Sequence, residues 1–80
     1  MNALSRLRWR CRRGTRELDF MLGWWLDARH AAASERQQAA FDALLDQSDP
    51  DLWDWLTGHA VPQDPRFAAI IDDIRAHHRL

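Results

Sequence analysis

Gly14-Thr15-Arg16-Glu17-Leu18-Asp19-Phe20-Met21-Leu22-Gly23-Trp24-Trp25-Leu26 is the stretch whose reading decides the fold of this chain. Thr15 has the side-chain oxygen of a helix N-cap, and Glu17 puts a carboxylate in the first turn, where it complements the helix dipole. Leu18, Leu22, Trp25 and Leu26 then recur at helical spacing and form one apolar face. Phe20, Met21 and Trp24 are expected to widen it. So apolar a helix is expected to be the most deeply buried of the chain.

Working outward from it, each neighbouring segment also reads as a helix. Leu4, Leu7 and Cys11 fall at i, i+3 and i+7, so a first helix is expected from Ala3 to Arg12. Gly14 is expected to end it by adopting the left-handed conformation. Towards the C-terminus, Ser34 with Gln37 forms a capping box. It opens a third helix that turns Phe41, Leu44 and Leu45 inward. Ser48-Asp49-Pro50 starts a fourth, with Asp49 expected at the cap and Pro50 at the first helical position. That helix carries Leu52, Trp53 and Leu56 and stops at Gly58. Asp64-Pro65 repeats the device, and Phe67, Ile70, Ile71 and Ile74 form the stripe of a fifth helix. His77, His78, Arg79 and Leu80 are expected to fray. No segment alternates as a strand does. The reading is all-α: a small five-helix antiparallel bundle forming a single domain over residues 1–80.

Composition agrees. With 46% hydrophobic residues and five tryptophans, 80 residues can build one core without a metal or disulfide staple. Trp25 and Trp53 are expected in that core, and Trp9, Trp24 or Trp55 partly exposed. Cys11 is the only cysteine, so it has no intramolecular partner. No apolar run approaches the roughly 18 residues a membrane helix needs. Arginines interrupt the N-terminus and exclude a secretory signal. An arginine-rich, acid-free start also resembles a transit peptide, but its periodicity continues into the domain. Mature protein in the cytoplasm is the expectation.

A net charge of −1 conceals a division along the chain. Residues 1–16 hold six arginines and no acid, whereas residues 17–80 carry a net −7. Every basic residue is arginine, whose planar fork suits carboxylate and phosphate. The basic end is therefore a candidate surface for an acidic partner.

Chemistry-bearing constellations are few. Arg12, Arg13 and Arg16 cluster with Glu17 and Asp19 about Gly14, and the simpler reading of that corner is a helix–helix turn with arginines solvated or paired to Asp19. His59 is isolated and His77-His78 point to different helix faces, so no metal site is expected. Arginines beside Cys11 could lower its pKa, yet no base accompanies it. There is no phosphate-binding glycine loop. These observations argue against an enzyme. The alternative binding role is nucleic acid, contacted by the arginines of the first helix with Trp9 interleaved. The acidic remainder and a pI near 6.4 oppose that reading.

The run Ser5–Asp19, SRLRWRCRRGTRELD, resembles the signature of the SdhE family, the bacterial counterpart of mitochondrial succinate dehydrogenase assembly factor 2. That family carries an R-G-x-x-E motif, matched by Arg13, Gly14 and Glu17 and followed here by Leu18-Asp19. Asp49–Gly58, DPDLWDWLTG, resembles its second motif, D-x-D-L-aromatic-x-W-L-x-G, and the likeness extends over essentially the whole chain. The resemblance implies a five-helix fold and a helper that binds the flavoprotein subunit of succinate dehydrogenase and, in some bacteria, of fumarate reductase. It implies that the helper promotes covalent attachment of FAD to a histidine of that client, whose own residues carry the chemistry. Carried over residue by residue, Arg13, Gly14 and Glu17 would lie on the client-binding surface, with Arg6, Arg12 and Asp19 beside them. Gly14→Arg would then harm binding by strain and bulk. No stably bound cofactor, no nucleic-acid partner and a monomeric free state are the remaining expectations.

Overall fold

The structure is a computed structural model that describes Asn2 to His78. Five α-helices follow one another: α1 (Ala3–Arg10), α2 (Arg16–Ala28), α3 (Glu35–Leu44), α4 (Asp49–Thr57) and α5 (Pro65–His78). A single 3₁₀ turn (His30–Ala32) joins α2 to α3, and no strand occurs among the described residues. Helix α2 packs on α1, α4 and α5, while α5 packs on α2, α3 and α4. The bundle is thus organised about the two helices with the fullest apolar faces.

Local chemistry explains the boundaries. Thr15 accepts the Leu18 N–H at 3.2 Å and starts α2. Ser34 and Gln37 form both bonds of the capping box, at 3.1 and 3.2 Å. Gly58 ends α4 in the left-handed conformation at φ 83°, and a Cβ there would lie 2.6 Å from the Arg75 guanidinium. Two boundaries differ from the sequence reading. Ser48, not Asp49, caps α4 by accepting the Asp51 N–H at 3.3 Å, which places Asp49 and Pro50 inside the first turn. Helix α1 ends at Arg10, two residues before Arg12, with Cys11 right-handed at its C-cap. Gly14 is not left-handed, since Gly58 is the glycine with positive φ.

The core is as expected along α2, α3 and α5: Leu18, Leu22, Trp25, Phe41, Leu44, Ile71 and Ile74 are buried. Trp25 stacks on Phe41 with ring centroids 4.6 Å apart, and its indole N–H donates to Asp73 at 3.2 Å. Two expectations fail. Trp53 is 39% exposed, while Trp55 is half-buried and packs beside Phe67. Phe20 is 69% exposed, because it lies about 180° around the helix from the centre of the Leu18–Leu22–Trp25–Leu26 face. No residue of α1 is fully buried: Leu4 is exposed and Leu7 half-buried.

His77 and His78 complete α5 instead of fraying, His77 stacking on Trp24 at 4.0 Å and His78 meeting Phe20 edge-on at 5.3 Å. Arg79 and Leu80 lie outside the described residues. No helix among those residues is long and apolar enough to cross a membrane.

Candidate functional site

Arg13 sits in the turn between α1 and α2, and its guanidinium is drawn inward. The side chain is only 15% exposed. Nε donates to Asp49 Oδ1 at 2.7 Å, Nη1 to the Leu45 and Arg10 carbonyls at 2.9 and 3.2 Å, and Nη2 to the Gln47 carbonyl at 2.6 Å. Leu45 and Gln47 follow the last turn of α3, where carbonyls lack helical partners. One planar fork thereby satisfies the end of α3 and ties it to the start of α4. Lysine, with one compact ammonium, could not reproduce that geometry.

Asp49 also receives the Gly14 N–H on Oδ2 at 2.8 Å. Across the turn, Asp19 accepts the backbone N–H of Arg13. The corner is therefore laced by two carboxylates, and the Arg13 guanidinium is paired with Asp49, neither solvated nor paired with Asp19 as the simpler sequence reading had it. Gly14 is required for closeness, not for a left-handed backbone: a Cβ there would stand 2.9 Å from Asp49 Oδ2. Strain thus drops out of the expected Gly14→Arg defect and bulk remains. Gly14→Ala should displace the Asp49 carboxylate and lower stability by about 1 kcal/mol, roughly one hydrogen bond. A melting temperature equal to wild type would show that the carboxylate shifts without cost.

The hydrogen bond from Arg13, aided by the Gly14 N–H, holds the Asp49 carboxyl below its ordinary value of 3.8. A carboxyl lowered in the folded state stabilises the fold fully above its unfolded pKa. That contribution is lost as pH falls through the folded pKa. Stability of the wild type should therefore decline in acid below about pH 4 more steeply than that of Asp49→Asn. Parallel acid limbs in denaturant titrations of the two proteins would contradict this assignment.

Other arginines of the basic end are also engaged. Arg8 bonds Asp27 at 2.6 Å, and Arg10 bonds Asp46 at 2.7 Å, the Asp42 carbonyl at 2.8 Å and the Asp42 carboxylate. Folding brings the basic end of the chain onto its acidic remainder, so part of the apparent binding surface is consumed internally. Arg6, Arg12 and Arg16 form no ion pair among the described residues. Arg12, Arg13 and Asp19 border one cleft together with Gly23. Arg6 lies apart, beside Arg10, Glu35 and Asp42. Glu17 is exposed in the first turn of α2 and has no hydrogen bond or ion pair among the described residues. It borders a different cleft, with Phe20, Met21, Trp53 and His78.

The sequence reading missed Asp49 as the partner of Arg13, having assigned its side chain to the helix cap. Two residues of the second motif lie beside residues of the first: Asp49 bonds Arg13 and Gly14, and Trp53 lines a cleft with Glu17. Cys11 is buried, and burial pushes its thiol up to about 11 despite nearby Arg8 and Arg13. It is accordingly a protonated core side chain at neutral pH. No group of three or more metal-ligating residues occurs among the described residues.

The geometry defines a compact all-α domain with a rigid arginine–carboxylate corner and an outward carboxylate next to it. The chain belongs to the family described as flavinator of succinate dehydrogenase, which matches residues 5–78. A protein of Xylella fastidiosa (strain 9a5c) named FAD assembly factor SdhE is 51% identical over 73 residues, covering 91% of this chain and 75% of its own. Relatives of the same name from Methylococcus capsulatus and Coxiella burnetii are 43% and 40% identical. They cover 95% and 91% of this chain and 92% and 89% of their own.

Proposed function

We propose that this chain binds the flavoprotein subunit of succinate dehydrogenase and promotes covalent attachment of FAD to it, acting as a binding factor and not as an enzyme. The observation that carries the reading is the division of labour within the R-G-x-x-E motif. Arg13 and Gly14 build a rigid corner from within, and Glu17 stands free on its outer side. A preorganised corner presents its carboxylate with little entropy left to lose on binding. Arg12 and Asp19 flank the corner, whereas Arg6 contributes at most from a separate part of α1. FAD stays with the client in this reading, and the free factor is a cytoplasmic monomer.

Co-expression with a succinate dehydrogenase flavoprotein subunit should raise the covalent flavin fluorescence of the denatured client several-fold over the client alone. The two proteins should also co-elute on size exclusion. Absence of both results with this client would refute the proposal, and the same assay with a fumarate reductase flavoprotein measures how wide the client range is. The nucleic-acid alternative loses ground, because Arg8, Arg10 and Arg13 are engaged with acids of their own fold.

A further inference from the structure

The outward side of α2 carries a feature that the arginine–glycine–glutamate motif does not account for. Glu17, Phe20, Met21, Trp53 and His78 line an open cleft of about 190 Å³ where α2, α4 and the end of α5 meet. Phe20 is 69% and Trp53 39% exposed, two large rings left against water on neighbouring helices. Large exposed aromatics grouped together are typical anchors of protein interfaces. The His78 edge-to-face contact with Phe20 at 5.3 Å and the buried Met21 give the cleft a firm wall and floor. Burial and the adjacent His77 push the His78 pKa below 6.5, so the cleft wall is uncharged there at neutral pH. Glu17 is then the one formal charge among the described lining residues.

We infer that this cleft is an anchor point for the flavoprotein client, seating an apolar client side chain between Phe20 and Trp53 while an adjacent client arginine or lysine pairs with Glu17. The inference rests on the proposed function and adds to it the chemistry of the bound segment. An apolar seat with a lone carboxylate at its edge selects an apolar–basic pair and rejects an acidic one, whose charge would meet Glu17 on partial desolvation. Phe20, which lies opposite the core face of α2, contributes little to the fold and much to such a surface. Trp53 belongs to the second motif, so one cleft joins both motifs in a single interface.

The test uses the full chain and a purified succinate dehydrogenase flavoprotein subunit carrying non-covalent FAD, its acceptor histidine replaced so that the complex is not consumed. Phe20→Ala and Trp53→Ala should each weaken binding about tenfold or more, and the loss should persist at high salt. Trp53→Phe should retain most of the affinity, which guards against a packing defect in the alanine variant. Glu17→Gln should weaken binding chiefly at low salt, as expected of a screened charge. Val61→Ala, 79% exposed and outside the cleft, should bind as wild type. Wild-type-like binding by Phe20→Ala and Trp53→Ala, with the wild type itself binding, would overturn this inference and leave the proposed function standing. Loss of self-association in Phe20→Ala without loss of client binding would assign the cleft to a second copy of the chain and likewise overturn it. No binding by the wild type would remove both.

Discussion

Arg13→Ala should remove a large fraction of this protein's stability. The guanidinium satisfies three carbonyls and one carboxylate, and it is the cross-link between the α1–α2 turn and the α3–α4 junction. Its removal strands acceptors at the end of α3 and leaves Asp49 without its cation. Each hydrogen bond to a charged group is worth about 1.5–3 kcal/mol. Asp49 is 36% exposed, so water recovers part of the loss. A net cost of about 2–4 kcal/mol remains. A domain of this size has only about 4–12 kcal/mol of stability. The melting temperature should fall by about 10–25 °C, followed by far-UV circular dichroism. Arg13→Lys should recover less than half, because an ammonium cannot serve Asp49 and three carbonyls from one plane. A shift of only a few degrees for Arg13→Ala would show that the network contributes little. The motif arginine would then act on the client directly.

Glu17→Arg should reduce client flavinylation at least tenfold while the fold stays intact. Glu17 has no partner among the described residues, so its internal value is limited to the first-turn dipole effect, about 0.3–1 kcal/mol. Reversal also adds a cation next in sequence to Arg16, converting an attractive edge into a repulsive one for a basic client segment. Flavin fluorescence of co-expressed client reports the function, and thermal melting reports the fold. Full flavinylation by Glu17→Arg would remove Glu17 from the interface. Loss of fold would return it to a structural role. The two motif residues thus carry opposite expectations: Arg13 fails in the melt, Glu17 in the assay.

Much of this architecture was legible in the residues. The capping box at Ser34 and Gln37, the threonine cap at Thr15, the left-handed Gly58 and the apolar stripe of α5 are local signals, decided within a few residues of chain. The family motifs were equally legible, and matching of residues 5–78 to the flavinator family agrees with them. Two of the misreadings share a cause. Trp53 and Trp55 each lie about 80° from the centre of the Leu52–Leu56 face, on opposite sides of it. Periodicity is symmetric between them, and only the placement of α5 buries one edge of α4 and leaves the other open. Ser48 and Asp49 are both good caps, and the choice fell to serine because the Asp49 carboxylate is held by Arg13 and Gly14 from the other end of the chain. Phe20 was a different error, since helical spacing already turns it away from the core.

The corner opened by Gly14-Thr15 shows where the boundary lies. Sequence by itself determined that a helix begins there, which face of it is buried, how many helices surround it and to which family the chain belongs. Those properties follow from short-range sterics, hydrogen bonding and hydrophobic period. Tertiary structure decided that Gly14 serves close approach, that Arg13 is an internal clasp and that Glu17 shares a cleft with Trp53. Those roles depend on which distant carboxylate, carbonyl or ring folding brings within reach, and no local pattern encodes that distance.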